Sequence, residues 1–308
     1  MRRTLALTLI LLLAVVPVLM VYPLPAEPRT EQPARLVTEM AWQFEQRWFG
    51  GLSGIDTTPD GKRYVAVTDR GTIFEGSITR DGTGIAEVKI DRWQQLPDKK
   101  GRFPGFPHTD AEGVALEEDG SVLVSFEVFH RILRYENWDY ATWPSYFRSW
   151  RALERNKGME ALAVQTDGTI LAIPEGVARG ATVALVYRRE PNKKWEQPFT
   201  LPLDETFEPV GADIGPDGKL YLLERSFLYG AFQSQVRRFS ISAEGLGDAE
   251  LVLRTNLGQH GNLEGMAVWQ DRDGHVRLTM VSDNNFKPYL RMQLIEYVLD
   301  ETLVDVAQ

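Results

Sequence analysis

The chain has 308 residues, 43% of them hydrophobic and 25% charged, with 8 Trp, 10 Tyr, 14 Phe and no cysteine. That composition can bury a large core and excludes wholesale disorder, a disulfide scaffold and thiol chemistry. The formal charge of −9 argues against nucleic acid as a partner, because phosphate backbones call for clustered Lys and Arg. It suits a bound cation, and equally it keeps a protein soluble.

The first element is Arg2 and Arg3 followed by an uncharged run over 4–26 rich in Leu, Val, Ile and Ala. A positive segment ahead of an apolar one reads as an export signal. The run also reaches the roughly 20 residues that span a bilayer, so signal peptide and signal-anchor both stay open for 1–26. In either case the rest of the chain is expected outside the inner membrane, periplasmic or secreted, with 4–26 as its one membrane anchor. Residues 27–34 are polar and Pro-rich and read as a linker. A single domain is expected over 35–300, with a short tail over 301–308.

Beyond the linker no long helical periodicity is visible. Short β-rich runs follow one another at 64–68, 121–126, 131–135, 169–173, 182–187, 220–223, 235–241, 251–253, 276–281 and 293–299, separated by turn residues. That spacing predicts antiparallel all-β architecture. Three stretches repeat: Asp110-Ala111-Glu112-Gly113, Gly158-Met159-Glu160-Ala161 and Asn262-Leu263-Glu264-Gly265. Each is followed by an Asp-Gly turn (Asp119-Gly120, Asp167-Gly168, Asp273-Gly274), suited to hairpins because both residues tolerate positive φ. Weaker copies are Ser53-Gly54-Ile55-Asp56 before Asp60-Gly61, and Gly211-Ala212-Asp213 before Asp217-Gly218.

Units of roughly 50 residues, each a short inner strand, a turn and further strands, predict a repeat architecture. The expected fold is an all-β β-propeller of five four-stranded blades. The fifth unit lacks an outer strand, which residues 35–44 would supply, so that the N- and C-terminal strands close the ring. A sixth, degenerate blade between 80 and 110 stays open, and a solenoid is the rival repeat fold.

In a propeller the residue starting each inner strand sits near the channel mouth. Glu112, Glu160 and Glu264 would then converge, with Asp56 and Asp213 a little deeper. Crowded carboxylates in a partly dry site repel one another, and a hard cation removes that cost. Ca²⁺, which takes six to eight oxygen ligands, is the expected ion, held by these five residues. The competing reading is structural: repeat acids can accept hydrogen bonds from backbone N–H groups of the next blade. A second acidic set recurs where the second strands end: Asp69, Glu127, Glu175, Glu224 and Asp283. With Arg70, Arg131, Arg225 and Asn284 beside them, Glu127 and Glu175 are candidate substrate contacts in a ring around the mouth. His108 and His260 each stand four residues before a motif glutamate. They join Glu112 as candidate general acid–base groups. The elbow-like stretch Gly51-Leu52-Ser53-Gly54-Ile55 lacks its closing Gly, so a serine nucleophile is not expected.

At these motifs the chain resembles the phytase-like family, also described by the esterase-like activity of phytase. The resemblance rests on 51–55 with 67–71, on 110–114 with 125–127, and on 262–266 with 282–283, and it covers about residues 48–298. It implies hydrolysis of ester or phosphoester bonds on a propeller. Two features depart from the pattern: Glu160 is followed by Ala161, and Asp213 has no aligned glutamate. True propeller phytases use several calcium ions and a strongly basic phosphate pocket, which this acidic chain lacks, so phytate is not the expected substrate.

Two functions remain open at this level. One is an exported, monomeric, Ca²⁺-assisted hydrolase of a small ester or phosphoester. The other is a non-catalytic binding or scaffold propeller in which the carboxylates hold a structural ion.

Overall fold

The computed structural model describes residues 32–302, apart from 83, 143–146, 156, 176–181, 205 and 288. The expected signal segment, and all but the end of the linker, lie outside the described residues. Five antiparallel sheets form a ring. Blade I is β2 (Leu52–Thr57), β3 (Arg63–Thr68), β4 (Thr72–Asp81) and β5 (Gly84–Gln95). Blade II is β6 (Ala111–Leu116), β7 (Val122–Phe126) and β8 (Arg131–Tyr135), its outer edge completed by a bridge between Arg134 and Thr142. Blade III is β9 (Ala161–Val164), β10 (Ile170–Ile173), β11 (Val183–Arg189) and β12 (Glu196–Pro202). Blade IV is β13 (Glu208–Ile214), β14 (Leu220–Leu228), β15 (Ala231–Phe239) and β16 (Glu250–Arg254).

Blade V combines both ends of the domain: β17 (Asn262–Gln270), β18 (His275–Asp283) and β19 (Gln293–Thr302), with β1 (Ala34–Ala41) as its outer strand. The β1–β19 ladder runs from Ala34 opposite Leu299 to Ala41 opposite Gln293. The protein is thus a five-bladed β-propeller closed by its terminal strands. Residues 80–110 hold no sixth blade, since β5 is the outer strand of blade I and the following loop crosses to blade II.

The Asp-Gly dipeptides make the hairpins between first and second strands. Asp119, Asp167 and Asp217 each accept a hydrogen bond from the N–H two residues on, at 2.9, 2.8 and 3.2 Å. The glycine that follows the Asp sits at positive φ, +84° at Gly120 for example, where a side chain would be strained. These turns fix every inner strand in the same direction, so all five strand starts point to one face.

Apolar side chains collect between blades rather than within them. Val210, Leu223 and Val236 of blade IV pack on Leu263, Met266 and Met280 of blade V. Blade I meets blade II through Val65, Val67, Val114 and Phe126, and blade V meets blade I through Trp42, Phe74, Leu52 and Leu294. Blades III and IV, and II and III, are joined in the same way. Each blade buries its two apolar faces on its neighbours, so closing the ring leaves no blade with a bare face.

In four of the five inner strands the residue after the motif position is a glycine with no room for a side chain, and blade III alone accommodates a methyl, at Ala161. A Cβ on Gly113 would lie 2.5 Å from the Glu160 carbonyl oxygen, and one on Gly211 2.8 Å from that of Glu264. The glycine after the motif position is therefore a packing requirement in blades I, II, IV and V, relaxed only in blade III.

Candidate functional site

Ladder registers slip at the start of four inner strands, between Leu52 and Gly54, Ala111 and Val114, Pro209 and Gly211, and Leu263 and Gly265. Such bulges re-aim a side chain at a strand end. Here they turn the motif residues toward the channel mouth. Glu160 and Glu264 line the axial cavity with Ser53 and Val210, and Glu112 lies close enough to both to feel their charges. The structure brings the three motif glutamates together.

A second tier comes from the ends of the second strands. The Asp69 N–H donates to Gly51 O at 2.8 Å, Glu127 N–H to Asp110 O at 2.8 Å, and Glu175 N–H to Gly158 O at 3.0 Å. In blade V, Asp283 pairs with Asn262. In blade IV the position opposite Glu208 is held by Arg225, and Glu224 falls one place earlier. A single step along a strand reverses the side chain. Glu224 therefore points into the blade, fully buried and paired with Arg237 and Gln235. The fifth member of the tier is a cation.

Arg225 binds Glu264, Glu175 at 2.6 Å and Asn262 Oδ1 at 2.8 Å. Asn262 Nδ2 in turn donates to Glu264 at 2.6 Å. On the opposite side of the mouth, Asp110, Glu112 and Glu127 place carboxylate oxygens within 4.8 Å of one another. Asp69 borders this group, and its buried Oδ1 has no hydrogen-bond partner among the described residues. Arg70 and Arg131 lie at the edge, near Asp69 and Asp110 respectively.

Burial is the first cause of the raised pKa values throughout this ring, and neighbouring charges modify it. Burial, then Asp110, pushes Asp69 up to about 7. Burial and Asp110 likewise bring Glu127 to about 7. Glu264 stands at about 7 although Arg225 opposes the rise, and Asp283 at about 6. Glu112 and Glu160 are raised well above the usual carboxylate range by burial and then by other ring glutamates. Acids held half-protonated near neutral pH without a cation are a poised binding site for one.

Asp56 and Asp213 do not belong to this group. Asp56 accepts from the N–H of Leu116 in blade II and from Thr57, both at 2.6 Å. Asp213 accepts from Val268 in blade V at 2.6 Å and from Ile214 at 2.7 Å. They stitch neighbouring inner strands together. Their raised pKa values come from burial and, for Asp213, from Asp56, with no contribution from the mouth glutamates.

The histidines also part company. His108 is exposed on the mouth face and stacks on Phe129, centroids 4.4 Å apart and planes 5° apart. His260 is buried behind β19, bonded to the Tyr297 hydroxyl at 2.6 Å with Glu39 3.5 Å away. Arg70 lies 3.4 Å over the Phe286 ring, and Asn284 Oδ1 accepts from Gly51 and Phe286 N–H at 3.2 and 3.1 Å. Asn284 thus locks the loop that follows β18.

Asp110 is a site residue that the repeated glutamate motif does not mark. Its signal was the acid or amide two places before the motif position, shared with Glu208 and Asn262. A further acidic group, Asp271 with Asp273 and His275, lies on the far face in the blade V turn. There Asp271 is already bonded to Arg277 at 2.7 Å and to the turn N–H groups.

The family model described as phytase-like, esterase-like activity of phytase, matches residues 47–286. The chain belongs to that family. No curated protein matches the chain significantly. Among solved structures it is similar to a gluconolactonase from Xanthomonas campestris, at 14% identity and TM-score 0.45, over 82% of this chain and 77% of that one. It is similar to the calcium-binding protein regucalcin from Agrobacterium tumefaciens, at 12% identity and TM-score 0.43, over 82% and 92% of the two chains. It is also similar to virginiamycin B lyase from Staphylococcus aureus, at 11% identity and TM-score 0.42, over 88% and 100%.

Proposed function

We propose that this protein is an exported, cation-assisted hydrolase of a small ester or phosphoester, with Ca²⁺ the expected ion and the mouth of the propeller as its site. The observation that carries this is the grouping of Asp110, Glu112 and Glu127 within 4.8 Å, beside the unpartnered buried oxygen of Asp69. All are hard oxygen donors, the kind Ca²⁺ prefers. Membership of the phytase-like family supports an ester or phosphoester as substrate.

Asp110, Glu112 and Glu127 would hold the ion, with Asp69 completing the donor set. When bound, such an ion polarises the scissile group and lowers the pKa of attacking water. Glu160, on the next inner strand and with its carboxyl pushed well above the usual range by burial, would pass a proton. The Arg225 clamp fixes Glu264 and Glu175 on the other side, so the ring does not rearrange around substrate. His108, on the exposed rim, is the remaining candidate for proton transfer. His260 is buried and bonded to Tyr297 instead.

The test is turnover of phosphoesters, carboxylic esters and lactones by the purified protein, with and without EDTA. Activity abolished by EDTA, restored by Ca²⁺ and lost in Glu112→Gln is the expected result. Calcium-dependent melting without turnover of any of them would overturn catalysis and leave a scaffold propeller with a structural ion.

A further inference from the structure

On the mouth face, the loop between β5 and β6 and the turn after β7 enclose a cavity of about 360 Å³. Its walls are Leu96, Pro97, Pro104, Phe126, Leu133 and Tyr135. The Tyr135 hydroxyl is taken up by Pro97 O at 3.1 Å, so this residue offers its ring. Phe129 and the stacked His108 form the rim. Phe129 is 46% exposed, and Phe103 and Phe106 of the same loop are 63% and 74% exposed.

This cavity abuts the acidic group through the chain itself. Phe126 immediately precedes Glu127, and His108 stands two residues before Asp110. Ala111, the first residue of β6, pairs with Phe126.

None of the three cations along its lining, Lys99, Arg102 and Arg131, is without a partner. The Arg131 guanidinium lies 3.9 Å over the Phe126 ring and donates to Phe129 O at 2.9 Å and to His108 O. Arg131 therefore ties the two loops together, which makes it a positioning residue and leaves no fork for a phosphate. At the far edge, Arg102 pairs with Asp98 at 2.5 Å. A mainly apolar pocket with a few polar groups, about 300–1,000 Å³ in size, is the usual form of a small-molecule subsite.

We infer that this cavity seats an uncharged apolar, preferably aromatic, acyl group, so that the substrate class is arylacyl carboxylic esters rather than polyanionic phosphates. The inference rests on the hydrolase reading for its chemistry. The cavity itself is a matter of binding, which can be measured apart from turnover. An aryl ring placed there would lie against Arg131, whose charge reaches Asp110, so its ester group would extend toward Asp110, Glu112 and Glu127. Burying one aromatic group is worth about tenfold or more in discrimination.

Two measurements decide the matter. With Ca²⁺ present, kcat/KM is compared for methyl 2-naphthylacetate, methyl acetate and methyl phosphate. Separately, calorimetry follows binding of N-methyl-2-naphthylacetamide, a neutral amide that resists hydrolysis. The expected results are a preference of about tenfold or more for the naphthyl ester, and saturable amide binding weakened about tenfold in Phe129→Ala and recovered in Phe129→Tyr. Amide binding with that pattern, but no ester turnover, would keep the subsite and remove the hydrolase. Equal turnover of acetyl and naphthyl esters, or amide binding indifferent to Phe129→Ala, would overturn the subsite and leave the hydrolase standing.

Discussion

On the side of the mouth formed by blades III, IV and V, Glu175 and Glu264 share the guanidinium of Arg225, with Asn262 completing the clamp. On the side formed by blades I and II, Asp69, Asp110, Glu112 and Glu127 face one another with Arg70 and Arg131 only at the edge, none of the four ion-paired among the described residues. Both sides use the same strand ends and the same ladder positions, and both are acidic. They differ in where the balancing charge resides. One side carries it covalently, in a side chain that cannot leave, and on the other, in the function proposed here, an exchangeable ion would supply it. A ring of near-equivalent units thus acquires a fixed half and a binding half through one substitution at a repeated position.

Removing Arg225 should have the largest effect, because it abandons two buried carboxylates. Arg225→Met is expected to cost about 3–5 kcal/mol of stability without Ca²⁺, read from denaturant unfolding. A loss below about 1 kcal/mol, the value of an exposed pair, would mean that the two sides do not differ as described. Glu112→Gln should act in the opposite sense. It relieves repulsion, so the calcium-free protein melts higher, while Ca²⁺ affinity falls about tenfold to a hundredfold, or about 1.4–2.8 kcal/mol by calorimetry. Unchanged affinity would take the ion away from this side.

The pH dependence sharpens the same contrast. Asp69 and Glu127, with ordinary values of 3.8 and 4.5, stand at about 7 in the folded chain. A raised folded value means that the native state holds more protons between those limits. The calcium-free protein should therefore be most stable below about pH 4 with respect to these groups, losing that stability as pH rises through about 7. Calcium competes with those protons, so its stabilising effect should grow across the same interval, seen as a widening gap between melting temperatures with and without Ca²⁺. A constant gap from pH 4 to 8 would count against calcium at this group.

Two smaller effects separate scaffold from site. Gly113→Ala forces a Cβ against the Glu160 carbonyl and should cost about 1–3 kcal/mol by overpacking. Asp213→Asn removes one charged acceptor between blades IV and V and should cost about 1 kcal/mol, with Ca²⁺ affinity unchanged in titration. A fall in affinity there would return Asp213 to the ion site.

Much of this was legible in the chain. Asp-Gly turns and the recurring motif are local signals, and they were enough to place blades, strand order and the convergence of Glu112, Glu160 and Glu264. The outer strands β5 and β12 were harder to see. Their exposed sides carry residues such as Glu87, Lys89, Asp91 and Glu196, and a half-solvated edge has weak periodicity. His260 looked equivalent to His108 by spacing, yet burial against Tyr297 depends on β19, far away in the chain.

The sequence alone determined a repeated β-architecture with five visible units, because turn chemistry and repeated patterning act over a few residues, and the pairing of β5 with β4 decided against a sixth blade. The sequence also determined that acids gather at one end of the channel, since three of the five inner strands start with the same glutamate motif. Which acids meet, and what neutralises them, was decided by tertiary structure. The ladder of blade IV sets Arg225, not Glu224, at the position Asp283 holds in blade V, so Glu224 turns into the blade and Arg225 reaches the mouth. The Glu127–Asp110 pairing adds an unmarked aspartate to the other side. Register is a relation between strands, and a step of one residue reverses a side chain, so no single stretch of sequence contains it.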